Sequence, residues 1–365
     1  MPRTLITIAA VATALARPAG TRFRRRPVRG SAAAAALVLG LVALAFQFSS
    51  AASARSTSSS CADPVTSTPT GPATVSAAST PYGSVLVVGS GDYSGCSLYL
   101  LTSDQLHPLT GAHFACSDGP NAIGSPCDTV LWPALLTNGA PIAGPGVNPK
   151  LLGTVTRTDL PGISSAHQVT YAGQPLYRFF LDEMPGETEG ANLFDPVTSP
   201  TGIWYLVEPN RGRPAPGTAQ VQLETAPVGG TGPDSTVLAA TMNDDFSLFP
   251  NASFPVYTLS PDRGSWSSST HMDQESACQT LCPQYWPPVL TSGRPEAGPG
   301  IDQHALGMTM RPDGTQQVTY KGRRLYLFAD DAYIPGLAYN GGTAAINGAG
   351  AETLWGVFNT IPPSS

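Results

Sequence analysis

The side chains of this chain that are best suited to chemistry recur in one fixed pattern, Tyr-x-(Phe/Leu)-x-x-Asp, which occurs four times. A buried tyrosine ring needs a hydrogen-bond partner for its hydroxyl, and carboxylates on flexible loops can bind a hard cation such as calcium. The third position is aromatic in two copies and leucine in the other two. The copies consist of Tyr99, Leu101 and Asp104; Tyr177, Phe179 and Asp182; Tyr257, Leu259 and Asp262; and Tyr326, Phe328 and Asp331.

The second copy favours a structural role for the motif. In an extended strand Tyr177 and Phe179 project to one face and Arg178 to the other, so the two rings can pack in a core with the tyrosine hydroxyl at its rim. Asp182 then follows the strand, where it can accept backbone N–H bonds in an Asx-turn. The alternative is that the four aspartates line a common rim and bind a cation, although nothing resembles an EF-hand loop.

A tryptophan follows each motif about thirty residues later. The neighbouring residues are proline or apolar, which favours buried anchors at the ends of strands. The alternative is an exposed aromatic platform that stacks on sugar rings. The four tryptophans are Trp132, Trp204, Trp286 and Trp355.

Motifs of the common enzyme classes are absent from the chain. There is no Gly-x-Ser-x-Gly elbow, no His-Glu-x-x-His, no phosphate-binding loop and no dinucleotide fingerprint. The five histidines are scattered singly, and His271 near Cys278 and Cys282 would suit a haem or copper site only if those thiols were free. We therefore expect no catalytic residue, no cofactor and no metal.

The cysteine content indicates an oxidising compartment outside the cytosol. Cys278 and Cys282 are four residues apart in a stretch that can form a helical turn, which places them within disulfide reach. Cys116 and Cys127 occupy the corresponding place in the first half. Cys61 and Cys96 are then left and could pair with each other. The alternative for Cys61 is lipid attachment. The six cysteines are Cys61, Cys96, Cys116, Cys127, Cys278 and Cys282.

The N-terminus is typical of an export signal. Five arginines between residues 22 and 29 precede an apolar stretch at 31–48, and Ala52-Ser53-Ala54 resembles a cleavage site. We therefore predict a signal peptide over 1–54, with a retained membrane anchor as the alternative. Its removal leaves 12 basic against 25 acidic residues, a formal charge of −13 in place of −6 for the whole chain. Such an acidic protein repels phosphate backbones, which excludes nucleic acid as a partner.

The rest of the chain is an internal duplication. Gln168-Val169-Thr170-Tyr171 returns as Gln317-Val318-Thr319-Tyr320, and Trp132-Pro133 returns as Trp286-Pro287. We predict a Ser/Thr/Pro-rich spacer over 55–82, repeat modules over 83–208 and 235–358, a linker over 209–234 and a tail over 359–365.

The predicted fold class is all-β. Each module contains two units of short strands separated by Gly, Pro and Asp turns, with a hairpin turn at Ala172-Gly173-Gln174-Pro175 and a matching one at Lys321-Gly322-Arg323-Arg324. In the second unit the predicted strands are 151–156, 168–171, 176–180 and 203–207, and the only helical candidate lies around Cys278. We expect a tandem pair of modules, and a four-bladed propeller-like closure is the alternative.

The combination of Leu-Tyr-x-Phe-x-x-Asp, Cys…Cys…Trp-Pro-x-Leu and Gln-Val-Thr-Tyr-x-Gly-x-x-Leu-Tyr resembles a bacterial family of secreted repeats described as predicted lipoproteins. The resemblance covers about residues 83–358 and implies an exported, envelope-associated protein without an established activity. Leu101 and Leu259 depart from the family pattern, in which an aromatic residue is usual. The residues before Cys61 also form a poor lipidation signal.

These observations lead to three hypotheses about function. The leading one is a non-enzymatic binding or structural protein, secreted or on the outer face of a bacterial envelope, with cell-wall or envelope components as partners. A membrane would be contacted only through a retained signal anchor or a lipid. The second is an extracytoplasmic redox or metal-handling protein, and the third is a secreted hydrolase whose catalytic residues come together from separate loops.

Overall fold

The computed structural model describes residues 60–107, 111–117, 126–163, 165–195, 202–227, 233–242, 253–260, 262, 276–279, 281–332, 348, 350–354 and 356–361. The chain divides into two compact units, Met1–Arg55 and Ser56–Ser365, and every described residue belongs to the second. The predicted signal peptide over 1–54 lies outside the described residues. Within the described ranges, no helix has both the length and the apolar character needed to cross a bilayer.

Short β-strands form most of the regular structure, in keeping with 38 glycines and 36 prolines that interrupt longer elements. The first half contains β1 Thr74–Thr80, β2 Gly83–Val88, β3 Tyr99–Leu101, β4 Gln105–His107, β5 Gly111–His113, β6 Leu136–Thr137, β7 Ile142–Ala143, β8 Leu152–Arg157, β9 Ala166–Tyr171, β10 Gln174–Pro175, β11 Leu193–Asp195, β12 Gly202–Val207 and β13 Pro214–Ala215. The second half contains β14 Gln220–Pro227, β15 Asp234–Thr241, β16 Ser253–Pro255, β17 Tyr257–Leu259, β18 Glu296–Ala297, β19 Leu306–Met310, β20 Gln316–Tyr320, β21 Arg323–Arg324, β22 Ala351–Thr353 and β23 Gly356–Thr360.

The helical segments of the described residues are all about one turn long. The helix predicted around Cys278 begins instead at the second cysteine of that pair, as α1 Cys282–Tyr285. The corresponding place in the first half holds a π-helical turn, Cys127–Leu131, which is one residue longer. Three 3₁₀ turns complete the set, at Pro149–Leu151, Gln303–Ala305 and Ala329–Ala332.

Each half opens with the same three-stranded arrangement. Strand β1 lies antiparallel to β2 and parallel to β7, and β14 lies in the same way between β15 and β18. The parallel contacts are equivalent, since Val75 is paired with Ala143 and Val221 with Ala297. The duplicated unit therefore starts at the β1–β2 hairpin in the first half and at the β14–β15 hairpin in the second.

This start differs from the predicted boundaries. The segment predicted as a spacer over 55–82 contains β1 and the buried Cys61, and the segment predicted as a linker over 209–234 contains β13 and β14. The predicted tail from 359 also belongs in part to β23. The sequence did not predict β1 because the strand shows no apolar alternation. Only Val75 of its seven residues is fully buried.

Two tight hairpin turns lie where the sequence places them. Ala172 and Gly173 connect β9 to β10 with φ values of 49° and 83°, and Lys321 and Gly322 connect β20 to β21 with φ values of 47° and 77°. Two consecutive positive φ angles are the signature of a type I′ turn, whose twist matches that of the flanking strands. The predicted strand 176–180, which follows the first turn, forms isolated bridges at Tyr177 and further backbone hydrogen bonds at Leu176, Arg178 and Phe180 in place of a continuous ladder.

The fold is all-β, as predicted, and the described strands make several small sheets without a closed barrel or propeller. Its largest buried apolar cluster contains residues of both halves, from Val75 and Leu86 to Val318 and Ile361. Phe194 and Phe254 meet within it edge to face, with 5.2 Å between ring centroids. A smaller cluster inside each half surrounds the repeated motifs.

Candidate functional site

The four motifs meet in two pairs, one pair in each half. In the first half Tyr99 and Tyr177 lie opposite each other on antiparallel backbone and exchange two N–H···O bonds, of 2.9 and 3.0 Å. In the second half Tyr257 and Tyr326 exchange two bonds of 2.8 and 2.9 Å. Each half therefore contains one near-symmetric crossing of two motifs.

The tyrosine side chains cross over as well. The hydroxyl of Tyr99 donates to Oδ2 of Asp182 at 2.7 Å, and that of Tyr177 donates to Oδ2 of Asp104 at 2.7 Å. Each tyrosine thus bonds the aspartate of the other motif and not the one in its own.

The second half repeats this crossed arrangement. The Tyr257 hydroxyl donates to Oδ2 of Asp331 at 2.6 Å, and the Tyr326 hydroxyl donates to Oδ2 of Asp262. Ser276 adds a hydroxyl that also bonds Asp262 Oδ2, at 2.8 Å.

The spacing of the motif follows from a tight turn after the strand. In every copy the aspartate N–H donates to the carbonyl of the residue three positions earlier, at 3.0 to 3.2 Å. That residue is the Phe or Leu of the motif, so the turn brings the carboxylate back toward the partner tyrosine. The four acceptors are Leu101, Phe179, Leu259 and Phe328.

The second carboxylate oxygen holds the loop that follows the motif. Oδ1 of Asp104 accepts the N–H of Ala115 at 2.8 Å, and Oδ1 of Asp182 accepts that of Glu189 at 2.9 Å. The Asx-turn expected at this place, which would use an N–H two residues on, is replaced by bonds to residues seven or more positions later. The aspartates therefore close loops as well as pairing with tyrosines.

A stack of three aromatic rings fills the space between the crossed pairs of each half. Trp132 lies between Trp204, at 3.8 Å between ring centroids, and Phe179, at 4.1 Å. Trp286 lies in the same way between Phe358, at 3.7 Å, and Phe328, at 4.3 Å.

Phe358 occupies in the second half the place that Trp204 has in the first. Trp204 pairs with Leu101 across β12 and β3, and Phe358 pairs with Leu259 across β23 and β17. Trp355, the residue that the sequence offered for this place, lies outside the described residues. Trp132, Trp204 and Trp286 are buried, so none of these three forms the exposed sugar-binding platform that was the alternative.

Two glycines permit the close approach of backbone to these indole rings. A Cβ on Gly190 would lie 2.7 Å from Cη2 of Trp132, and a Cβ on Gly348 would lie 2.7 Å from Cη2 of Trp286. The Gly348 N–H also donates to the Tyr257 hydroxyl at 3.2 Å. Each glycine therefore lets the backbone pack directly against an indole ring, and Gly348 also bonds the neighbouring tyrosine.

Burial changes the protonation of the first-half pairs. It raises the pKa of Asp182 to about 8 and that of Asp104 to about 6, although hydrogen bonds from Tyr99 and Tyr177 oppose the rise. Burial, together with the adjacent carboxyl, also raises the pKa of Tyr99 and of Tyr177 well above 10. The two phenols therefore stay protonated at neutral pH, whereas the two carboxyls titrate near neutral pH while they are buried and bonded to the tyrosines.

The structure does not bring the four aspartates to a shared open rim. All four are at most 6% exposed, and each carboxyl is bonded to a tyrosine. Among the described residues, no group of three or more His, Cys, Asp or Glu side chains is placed to hold a metal ion.

Sequence reasoning missed a buried polar cluster around Arg157. Its Nε and Nη2 bond the two carboxylate oxygens of Asp159 at 2.7 Å each, Nη2 also bonds Asp128, and Nη1 donates to Oε1 of Gln168 at 2.6 Å. Gln168 in turn donates to the Leu176 carbonyl at 2.9 Å, directly before the second motif. This cluster therefore fixes the strand that leads into Tyr177.

The second half repeats part of this cluster. Arg311 donates to Gln317 Oε1 at 3.0 Å and lies 3.4 Å from Asp313, while Gln317 donates to the Leu325 carbonyl at 2.8 Å. The signal in the sequence was Arg-x-Asp at 157–159 and at 311–313, ahead of the repeated Gln-Val-Thr-Tyr.

The six cysteines form three disulfides, Cys61–Cys96, Cys116–Cys127 and Cys278–Cys282, with Cα atoms 5.0 to 5.5 Å apart. The Cys61 sulfur is bonded to that of Cys96, so the structure does not leave it free for the lipid that was the alternative. Arg178 adds to this attachment, since its guanidinium donates to the carbonyls of Cys61 and Asp63 and lies 3.7 Å over the Tyr93 ring.

One family model matches the chain, over residues 164–195, and its family is described as a secreted repeat of unknown function. The matched stretch includes Tyr177, Phe179 and Asp182 of the second motif. Neither the curated proteins nor the solved structures contain a significant match to the chain.

Proposed function

We propose that this chain is an exported, non-enzymatic protein of the bacterial envelope that serves as a rigid structural or binding module. The observation that carries the proposal is the use of all four motifs inside the fold. Their tyrosine hydroxyls and aspartate carboxyls are bonded to each other and buried, which supports a role inside the fold.

Three further features support an extracytoplasmic role. The chain begins with a sequence typical of an export signal, its six cysteines are paired, and the matching family is described as secreted. A fold of short strands with many loops gains stability from disulfides because they reduce the entropy of the unfolded chain.

The proposal predicts that a reductant lowers thermal stability and that a metal chelator leaves it unchanged. Reduction should lower the melting temperature by roughly 10 °C or more, because a native disulfide in a secreted domain contributes about 2 to 5 kcal/mol. EDTA should leave the melting temperature within about 1 °C. Differential scanning calorimetry of the mature protein measures both.

A fall in melting temperature with EDTA, together with a stoichiometric metal in elemental analysis, would favour the metal-handling alternative. A melting temperature that is the same with and without reductant would contradict the structural role assigned to the disulfides.

A further inference from the structure

A cleft of about 720 Å³ lies where the two halves of the second compact unit meet. Tyr205 and the loop between β12 and β13 border it on one side, and α1 and the turn at Asp313 border it on the other. Its volume is in the range of small-molecule sites, 300 to 1,000 Å³.

Three arginines line this cleft, and Asp313 is the only acidic residue among those that line it. The predicted mature chain has only 12 basic residues against 25 acidic ones, so the local charge of the cleft is opposite to that of the protein. A concentration of guanidinium groups in a concave surface raises the local concentration of anions. The three are Arg211, Arg213 and Arg311.

The arginines keep unused hydrogen-bond donors. Arg211 is exposed and makes no hydrogen bond within the described part of the chain. Arg213 connects the two halves, because its Nη1 donates to the Gly314 carbonyl of the second half at 2.7 Å. Each guanidinium has five N–H groups in a fixed plane that matches the two oxygens of a carboxylate or phosphate.

Tyr205 supplies an independent indication of a ligand. Its side chain is only 1% exposed, yet its hydroxyl has no hydrogen-bond partner among the described residues. It borders the cleft and also a second cavity of about 460 Å³. Arg311 lines the same cleft, and its charge opposes the rise that burial causes in the Tyr205 pKa.

Gln174 gives a second unsatisfied group at the same place. Its Oε1 is buried without a partner, and its side chain lines the cleft. A buried polar atom without a partner costs stability, and the Tyr205 hydroxyl borders the same cleft without a partner among the described residues, so a polar ligand or water would complete the site. The opposite wall is apolar, with Leu281, Pro283 and Pro287, and suits the face of a ring.

We propose that this cleft binds a small molecule that carries a carboxylate or phosphate group on a ring-shaped body. The oxyanion lies between the guanidinium groups of Arg211 and Arg213, the Tyr205 hydroxyl bonds the ring substituents, and the proline wall covers one ring face. This inference rests on the proposed function, since it specifies the ligand class of a binding module.

Calorimetric titration of the mature, disulfide-bonded protein with three probes tests the proposal. The probes are glucuronate, glucose 6-phosphate and neutral glucose, each up to tens of millimolar at low salt. At least one anionic probe should bind, and glucose should bind at least about tenfold more weakly because it lacks the bidentate charged contact. The preferred anion identifies the ligand as a carboxylate or a phosphate.

Arg211→Gln should weaken binding of the anionic probe by about tenfold without a change in melting temperature, because this side chain makes no bond to any described residue. Arg323→Gln is the matched control, since Arg323 is also exposed and is not among the residues that line the cleft. Tyr205→Phe should weaken binding several-fold while it retains the ring.

Absence of binding for both anions, equal binding of glucose, or equal losses in Arg211→Gln and Arg323→Gln would each overturn the proposal. The scaffold role is tested separately by the melting experiments with reductant and chelator. If those experiments give the predicted results and no anion binds the cleft, only this inference is rejected.

Discussion

At the scale of single residues, Asp182 and Asp104 retain their protons to higher pH than ordinary aspartates, because burial penalises the charged carboxylate. A protonated carboxyl can still accept the bonds from Tyr99 and Glu189 that hold Asp182 in place. The crossed pairs are therefore compatible with a low-dielectric interior, where two ionised groups would be costly.

This protonation predicts the pH dependence of stability. A carboxyl whose pKa is higher in the folded than in the unfolded state contributes stability that is complete below about pH 4 and is lost as the pH rises through its folded value. The free energy of unfolding should therefore fall between about pH 4 and pH 8, by up to about 1.4 kcal/mol per pH unit for each carboxyl. Urea denaturation at pH 5, 7 and 9 measures it.

Asp182→Asn should flatten this profile above pH 6, because it removes the titrating group with the higher pKa and keeps the side-chain shape. Asp92→Asn is the control, since Asp92 is exposed and should leave the profile unchanged. A free energy of unfolding that increases from pH 5 to pH 9 would contradict the assignment.

At the scale of elements, the tight turn that ends each motif and the three-ring stack depend on each other. The turn sends the aspartate back to the partner tyrosine, and the rings of Trp132 and Trp286 fill the space between the motifs. Aromatic pairs of this geometry add about 0.5 to 1.5 kcal/mol beyond the burial of their area. The loops that carry Gly190 and Gly348 close the stack against the indole rings.

Gly190→Ala and Gly348→Ala should each destabilise the protein by about 1 to 3 kcal/mol, because the new methyl group would overlap a tryptophan ring that is packed on its other sides. Thermal and urea denaturation measure the loss. Gly293→Ala is the matched control, since a Cβ there would meet no atom within 4 Å, and it should change stability by less than about 0.5 kcal/mol. Equal effects at the three positions would show that the close approach to tryptophan is not required.

At the scale of the whole second unit, the duplicated halves are joined by a common apolar core and by the cleft between them. The sequence predicted the all-β class, the duplication and the positions of two hairpin turns, because these depend on local residue types and on exact recurrence of motifs. It placed the first strand of each half in a spacer or a linker, because β1 is mostly small and polar and β14 lies within a Pro-rich segment.

The candidate site was predictable only in part. Recurrence singled out the tyrosines and aspartates, but their partners are 73 to 83 residues away in the first half, and no local pattern reveals a crossed pairing. Arg157 and Gln168 were overlooked because isolated polar residues in strands look exposed until the neighbouring loop with Asp128 is placed over them.

The central claim is that the motifs act as crossed structural pairs, and a double-mutant cycle tests it most directly. Tyr99→Phe, Asp182→Asn and their combination should give a coupling free energy of about 1 to 3 kcal/mol in urea denaturation. The same cycle with Tyr99→Phe and Asp104→Asn, within one motif, should give less than about 0.5 kcal/mol. Strong coupling within the motif, or none between Tyr99 and Asp182, would contradict the account.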